Sequence, residues 1–396
     1  MKRSLAILPA LVLAAACSGD AVSPAAPADL AAARAADGGA YIVVLKDDAN
    51  PRSVAALLGI NPNRVYTASL QGFAATLTAG QLNALRHNPA VAYVEPDAPA
   101  QMFTTQFFPV WGLDRIDQHP LPLNNRFIYT SMGTGVRIYV LDTGIRKTHA
   151  QFGTRAQYIA NGAGGDFVGD GHGSAEDCHG HGTHVSGIAA GSGFGVAKNA
   201  YLRAGRVVDC SGDGTTSMVI SAMDWILANG IKPAVVNMSL GYGDVQSVRD
   251  MARRLHNAGY VVAAAAGNGN FAGTPQDACL QSPAGNVSSL TVGSTTSTDN
   301  ESSFSNYGTC VDLLAPGSDI RSAWIGTDTS TAIKSGTSMA TPHAAGVAAQ
   351  YLQLNPTHSA TTAIVAIKAI TTNGVITLHA LSTANGTPNK LLYTNY

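Results

Sequence analysis

Three polar residues that lie far apart in the chain each stand in a segment suited to chemistry. Asp142 follows the apolar run VRIYVL, His181 lies between two glycines in GHGTHVSG, and Ser338 lies in GTSMATPH ahead of an Ala-rich helical stretch. A serine hydroxyl is a weak nucleophile unless a base removes its proton, and that base needs a third group to fix its tautomer and stabilise its charge. Together the three segments predict nucleophilic catalysis.

Each of these residues also has a simpler explanation when it is taken alone. Asp142 and Ser338 could each cap a helix or close a turn. His172, His179 and His184 lie near His181, so a zinc site must be considered. The spacing argues against zinc, because His181 and His184 are separated without the glutamate of the helical zinc-protease motif. We therefore favour a serine nucleophile.

The elements around these residues predict where they meet. From about residue 104 to the C-terminus, apolar strand-like runs alternate with helical stretches. The strands are expected at 136–141, 234–238, 261–266 and 289–292, and helices at 217–228 and 245–257. Such a pattern predicts a parallel sheet covered by helices on both faces. In such sheets functional residues gather at the carboxyl ends of strands, where Asp142 is expected. Ser338 is expected at a helix start, where free N–H groups favour negative charge.

The chain before residue 104 has three parts. Residues 1–17 combine a positive start, a short apolar run and a small-residue site, which is typical of an export signal. The small residues before Cys17 also resemble a bacterial lipobox, so a lipid-anchored precursor and ordinary cleavage both remain open. Residues 18–39 are an Ala-, Pro- and Gly-rich linker. Residues 40–97 predict a small α+β domain. Its strands are expected at 41–46, 65–77 and 91–94, and its helices at 51–58 and 79–87.

Composition excludes two classes of protein. Of the 396 residues, 45% are hydrophobic and only 12% are charged, which is typical of a globular chain and not of a disordered one. Lys and Arg total 24 against 25 for Asp and Glu, so no basic field would attract nucleic acid. No later segment contains 18 consecutive apolar residues, so we expect a soluble mature protein.

Five segments, in this order, resemble the signature blocks of the subtilisin-like serine peptidases: VLDTGI, GHGTHVSG, NMSLG, AAAGN and GTSMATPH. The resemblance covers about residues 104–396 and is closest to the proteinase K and aqualysin branch, through WGLDRID, FSNYG, LLAPG and the terminal LLY. It implies an α/β, three-layer catalytic domain with a central, mainly parallel sheet. It also implies that residues 40–97 are a ferredoxin-like propeptide, which assists folding, inhibits the enzyme and is removed autocatalytically. The expected product is a secreted, monomeric endopeptidase that acts on polypeptides and needs no catalytic cofactor.

The same resemblance assigns roles to single residues. Ser338 would be the nucleophile, His181 the general base and then acid, and Asp142 the carboxylate that orients the imidazole. Asn268 and the backbone N–H of Ser338 would donate to the oxyanion. A peptide substrate would add as a strand between two extended edges, formed by Ser239, Leu240 and Gly241 and by Ala265, Ala266 and Gly267. Tyr242 stands where a small residue is usual in the family. The rim of this cleft is therefore expected to differ from that of other members.

The chain has five cysteines, one of which is Cys17. The other four allow three disulfide connectivities in an exported protein, and the resemblance implies Cys178 with Cys210 and Cys279 with Cys310. It also implies a structural calcium ion, bound by Asp312 and the carbonyls of Val287 and Ser289, because calcium prefers oxygen ligands. Residues 166–177 run longer than the resemblance leads us to expect, and a metal or a lid there remains open.

Overall fold

The computed structural model describes residues 39–97, 104–270 and 272–396. They fall into two compact units, divided between residues 101 and 102. The expected export signal, Cys17 and all but the last residue of the expected linker lie outside the described residues. In the part of the chain that is described, no helix combines the length and apolarity needed to cross a bilayer.

The first unit is a small antiparallel sheet with two helices. Its elements are β1 (Gly39–Leu45), α1 (Pro51–Leu57), β2 (Arg64–Tyr66), β3 (Gly72–Leu77), α2 (Ala79–Arg86) and β4 (Val91–Pro96). The strands pair in the order β2-β3-β1-β4, which is the predicted ferredoxin-like arrangement. Each helix begins at a polar cap: Asn50 accepts the N–H groups of Arg52 and Ser53, and Thr78 forms a capping box with Gln81. The run predicted at 65–77 is two strands joined by a turn.

The second unit contains the chemistry-bearing residues. Its strands are β5 (Thr104–Phe107), β6 (Arg126–Tyr129), β7 (Arg137–Asp142), β8 (Ala156–Tyr158), β9 (Tyr201–Arg206), β10 (Ala234–Met238), β11 (Val261–Ala265), β12 (Leu290–Thr295), β13 (Leu313–Pro316), β14 (Ile320–Ala323), β15 (Thr331–Lys334), β16 (Thr372–Asn373) and β17 (Lys390–Leu391). Its helices are α3 (Trp111–Ile116), α4 (His181–Ala190), α5 (Thr216–Asn229), α6 (Gln246–Asn257), α7 (Thr337–Leu354), α8 (Ala360–Ala369) and α9 (Ala380–Ala384).

A nine-stranded sheet forms the centre of this unit. Its order is β16-β17-β13-β12-β11-β10-β7-β9-β8, and every described pair is parallel except β16 with β17. Alternate residues of a strand face opposite sides of the sheet. Ile138 and Val140 therefore pack with α4 and α7 in one core, whereas Tyr139 and Leu141 pack with α5 and α6 in another. The predicted three-layer α/β fold is thus confirmed.

Two disulfides connect loops of this unit. Cys178 pairs with Cys210 and Cys279 pairs with Cys310, which is the connectivity that the resemblance implied. The first disulfide lies next to the helix that begins with His181, and the second joins the segment between β11 and β12 to the segment between β12 and β13. Each cross-link stabilises the fold mainly by restricting the unfolded chain.

Candidate active site

Asp142 is the last residue of β7, at the carboxyl edge of the sheet, and is only 2% exposed. Its Oδ1 accepts the N–H of Thr143 at 2.8 Å and faces Nδ1 of His181 at 2.7 Å. A carboxylate cannot donate, so the hydrogen bond requires a proton on Nδ1 of His181. The other ring nitrogen, Nε2, is then the basic one. The pair therefore presents an oriented base at the edge of the sheet.

His181 is the first residue of α4, and a second carboxylate holds this helix start in place. The buried Asp177 accepts hydrogen bonds from five donors: the Thr143 hydroxyl, the N–H groups of His179, Gly180 and Thr183, and the Thr183 hydroxyl. The helix also approaches the loop after β7 closely, since a Cβ on Gly182 would lie 2.0 Å from the carbonyl oxygen of Gly144. Asp177 and Gly182 therefore fix the backbone position from which the His181 imidazole projects.

Charge around the imidazole changes its basicity. Burial disfavours the charged ring, but the negative charges of Asp142 and Asp177 and the hydrogen bond that the ring donates to Asp142 outweigh burial and raise the pKa of His181 above its ordinary value of 6.5. Lys334 acts in the opposite direction. A histidine with a raised pKa is a stronger base, and it must be neutral to accept a proton.

Ser338 is the second residue of α7, so its N–H belongs to the free first turn of that helix. Asn268 is anchored beside it, because its Oδ1 accepts both the N–H and the hydroxyl of Thr337 at 2.8 Å. That leaves the Asn268 amide N–H groups to donate elsewhere. A Cβ on Gly336 would lie 3.3 Å from Nδ2 of Asn268 and 3.6 Å from the backbone nitrogen of Ser338. The side-chain amide nitrogen of Asn268 and the backbone nitrogen of Ser338 therefore lie close to the same point.

The Ser338 hydroxyl donates to the carbonyl oxygen of Ser239 at 3.0 Å. Among the hydrogen bonds of the described residues, none joins this hydroxyl to His181. The Ser239 hydroxyl donates in turn to the Ser338 carbonyl at 2.9 Å, so the loop after β10 and the start of α7 are fastened together. Rotation of the Ser338 side chain about its Cα–Cβ bond moves the hydroxyl away from the Ser239 carbonyl.

Two open clefts adjoin these residues. One has a volume of about 350 Å³ and is lined by Asp142, His181, Val208 and the segment 239–241. The other, of about 210 Å³, is lined by Leu240, Gly241, Ala265, Gly267, Asn268 and Ser338, among others. Leu240 and Gly241 line both clefts, so the segment expected to form one substrate edge runs between them. Backbone pairing of Tyr242 with Ser282 extends this edge.

One residue expected to contact substrate lies elsewhere. Ala266 is fully buried and lines neither cleft, because alternate residues at the end of β11 point to opposite faces. Its carbonyl accepts the side-chain amide of Asn306 at 2.9 Å. Asn306 also accepts the N–H of Gly269 at 2.9 Å. Ala266 therefore supports the loop that carries Asn268, whereas Ala265 and Gly267 line the cleft.

Asp312, the carboxylate expected to bind calcium, is engaged by groups of the chain itself. Asp312 Oδ1 forms an ion pair with Nζ of Lys368, and its Oδ2 accepts the N–H of Thr291 at 2.9 Å. Calcium is bound by six to eight oxygens with carboxylates among them, and here the carboxylate charge is already balanced by an ammonium of the chain itself. The sequence did not point to this pairing, since Lys368 lies 56 residues later, at the end of α8.

The long segment 166–177 is likewise held by a cation of the chain. The guanidinium of the buried Arg206 binds Asp166 at 3.0 Å and also binds Asp170. The one group of three potential metal ligands among the described residues is His172 with Cys178 and Cys210. Both sulfurs belong to a disulfide, which removes the thiolates that a zinc ion would need. His184 is not free either, since its Nε2 lies 3.1 Å from the Ala332 carbonyl.

Sequence reasoning missed two supporting residues, Asp177 and Thr337. Asp177 stands four residues before His181, and a short polar residue just before a helix is a recognisable capping signal. Thr337 stands between Gly336 and Ser338, and only the structure reveals its two contacts with Asn268. Asp177 positions His181 through the first turn of α4, and Thr337 orients the side-chain amide of Asn268.

Comparison with known proteins agrees with this geometry. Residues 133–391 match the subtilase family, Peptidase_S8, and residues 59–103 match the peptidase inhibitor I9 family. The chain is 44% identical over 340 residues to an extracellular serine proteinase of Thermus sp. (strain Rt41A), covering 86% of this chain and 79% of that protein. It is 45% identical over 343 residues to alkaline serine exoprotease A of Vibrio alginolyticus, covering 85% of this chain but only 61% of that protein.

A relative from Metarhizium anisopliae, a cuticle-degrading protease, is 37% identical over 400 residues, covering 98% of both chains. Among solved structures, that of a cold-adapted subtilisin-like serine proteinase superposes with a TM-score of 0.67 at 46% identity, covering 73% of this chain and 99% of that one. These matches confirm the resemblance read from the sequence. The chain belongs to the subtilase family of serine proteinases and carries an I9 inhibitor domain ahead of its peptidase domain.

Proposed function

We propose that this chain is the autoprocessed precursor of a secreted serine endopeptidase that uses Asp142, His181 and Ser338. The observation that carries the proposal is the 2.7 Å hydrogen bond that Nδ1 of His181 donates to the buried Asp142. The cleft that adjoins this pair shares Leu240 and Gly241 with the cleft of Ser338. Members of the family require no catalytic cofactor, and these side chains supply both the nucleophile and the base.

The first step forms an acyl-enzyme. The Ser338 hydroxyl turns away from the Ser239 carbonyl, gives its proton to Nε2 of His181, and attacks the carbonyl carbon of the scissile bond. The imidazolium, stabilised by Asp142, then protonates the departing amine. Water attacks the acyl-enzyme with His181 again as base, and Ser338 is released with its proton restored.

Asn268 and the Ser338 backbone N–H stabilise the negative oxygen that develops during both steps. Thr337 fixes the carbonyl end of the Asn268 amide, so its N–H groups are held ready before the charge appears. Preorganised donors of this kind typically contribute about 3–4 kcal/mol each to the transition state.

Peptide substrates add as a strand between Ser239–Gly241 and the Ala265 and Gly267 edge, with affinity from main-chain hydrogen bonds. We expect a broad preference for apolar or aromatic residues before the scissile bond, as is usual in the family. The mature enzyme acts as a monomer and has no nucleic-acid partner.

Maturation removes the segments before the catalytic domain. Residues 1–17 act as the export signal and 18–39 as a linker. Residues 40–97 form the inhibitory propeptide and folding assistant, and 104–396 form the catalytic domain. The mature chain begins between Gln101 and Phe108. Because Thr104–Phe107 pairs with β6, a start no later than Thr104 keeps the β5 strand intact. The extracellular relative from Thermus supports secretion.

A serine-directed fluorophosphonate tests this proposal. Peptide mapping should locate the label on Ser338, and casein hydrolysis should fall in proportion to labelling. The variant His181→Ala, which keeps the serine but lacks the base, should label far more slowly. Full activity in a stoichiometrically labelled enzyme, or a label on another residue, would rule the proposal out.

A further inference from the structure

The hairpin β14–β15 is fastened to the helix that begins with His181. Nε2 of His184 lies 3.1 Å from the Ala332 carbonyl, and the Ser322 hydroxyl donates to the His184 carbonyl at 2.8 Å. The chain then passes from the end of β15 through Ser335, Gly336 and Thr337 to Ser338. The hairpin is therefore fixed against both halves of the site.

Trp324 and Lys334 place a positive charge on this hairpin. The Trp324 ring packs against the backbone just before His181, since a Cβ on Gly180 would lie 2.6 Å from it. The Lys334 ammonium lies over that ring, 4.6 Å from its centroid, in a cation–π contact. Lys334 is exposed and forms no salt bridge within the described part of the chain. Its nearest acidic neighbour along the hairpin, Asp319, instead accepts a hydrogen bond from Ser335.

The reaction itself indicates which part of a substrate this charge faces. His181 must deliver a proton to the departing amine, so the residues that follow the scissile bond leave the active site on the imidazole side. The oxyanion donors and the cleft of Ala265, by contrast, hold the carbonyl and the residue before the bond. Trp324 packs against Gly180, next to His181, and Lys334 lies over the Trp324 ring. We infer that both residues lie on the side of the departing amine.

We propose that Lys334, held on the Trp324 ring, selects substrates that carry a side-chain carboxylate in one of the first two residues after the scissile bond. This inference rests on the proposed function of Ser338 and His181. Trp324 limits the freedom of the ammonium, so less entropy is lost when a substrate carboxylate binds. The ammonium is exposed, and a surface ion pair of this kind changes kcat/KM by about two- to fivefold.

Internally quenched peptides that differ only in those two positions provide the test. For the mature wild-type enzyme, kcat/KM should be about two- to fivefold higher with Glu than with Gln, at a pH well above the pKa of His181. The ratio should fall to about one in Lys334→Gln and drop below one in Lys334→Glu. High salt should weaken the wild-type preference, because it screens exposed charges.

Lys232 offers a matched control. It also places an ammonium over an aromatic ring, that of Tyr260 at 5.7 Å, but it precedes β10 at the amino edge of the sheet. Lys232→Gln should leave the Glu-to-Gln ratio unchanged.

An equal Glu-to-Gln ratio in wild type and Lys334→Gln would overturn the selectivity proposal. A uniform change in kcat/KM across all peptides would overturn the proposal as well, because it would indicate that Lys334 affects the position of His181 or Ser338 and not the choice of substrate. If wild-type enzyme cleaves none of the peptides, including the Gln series and a casein control, the proposed function fails and not the selectivity alone.

Discussion

Asp177 allows a quantitative test of how the start of α4 positions the His181 imidazole, for which we propose a catalytic role. Its two carboxylate oxygens accept three and two hydrogen bonds, at 2.6–3.0 Å. In Asp177→Asn, one oxygen becomes an NH₂ group, whichever way the amide turns. At least one backbone N–H, that of Thr183 or those of His179 and Gly180, then faces a donor. The remaining bonds also lose their charged acceptor.

The expected cost follows from those contacts. A buried donor left unpaired costs about 1–3 kcal/mol, and hydrogen bonds to a charged group contribute about 1.5–3 kcal/mol each. We therefore expect Asp177→Asn to lower the free energy of unfolding by about 2–4 kcal/mol. A displaced His181 should lower kcat by about ten- to a hundredfold, since a shift of about 1 Å in a catalytic group has effects of this size.

The pH dependence separates this positioning role from a general loss of stability. Asp177 helps to raise the pKa of His181, and activity rises with pH through that pKa because the base must be neutral. Removing the negative charge destabilises the imidazolium, so the acid limb of kcat/KM should move to lower pH even though the maximum falls.

The matched control is Asp224→Asn, which makes the same charge change on the exposed face of α5. It should leave stability, kcat and the acid limb unchanged. An acid limb of Asp177→Asn that stays in place or moves to higher pH would refute the reasoning. Should that variant not fold, Thr143→Val provides a second test by chemical denaturation, because it removes the hydroxyl that donates to Asp177 and accepts the N–H of Gly182.

Three further predictions concern other parts of the second unit. Asn268→Ala should lower kcat by about a hundred- to a thousandfold with little change in KM, and an unchanged kcat would contradict its donor role. Asp312→Asn should lower the melting temperature equally with calcium and with chelator, and Lys368→Met should remove most of that effect; a loss seen only with calcium would instead identify a metal ligand. Lys198 is 7% exposed with its ammonium against the rings of Phe127 and Tyr129, and burial lowers its pKa to about 7. The folded state then binds fewer protons than the unfolded state between pH 7 and about 10.4, so stability falls as pH falls through this window. Lys198→Met should therefore raise the melting temperature at pH 7, with a gain that shrinks toward alkaline pH, and an equal gain at every pH would contradict this.

The sequence predicted the elements that carry the site because their signals are local. β10 was predicted at residues 234–238, and β11 and β12 within a few residues, since a strand buried on both faces reads as a continuous apolar run. The position of Asp142 followed from the same run at β7. Ser338 lies at a helix start as expected, because a polar residue ahead of an Ala-rich helical stretch is typical of such a start. His181 also begins a helix.

The rest depends on contacts between residues distant in the chain. The ion pair of Lys368 with Asp312 joins the end of α8 to the start of β13. No periodicity in either segment predicts this pairing. The burial of Ala266 depends on which face of the sheet it points to at the end of β11. The hydroxyl of Ser338 and the amide of Asn268 are oriented by Ser239 and Thr337, whose roles only the folded loops determine.

The claim that Asp142, His181 and Ser338 act as one unit is tested most directly by kcat for Ser338→Ala, His181→Ala and the double variant. Each precursor is processed by immobilised wild-type enzyme, which is then removed. If the residues form one unit, each single variant should lose on the order of a million-fold in kcat, and the double variant should lose no more. A double variant far slower than either single one, or a Ser338→Ala enzyme that still digests casein normally, would contradict the account.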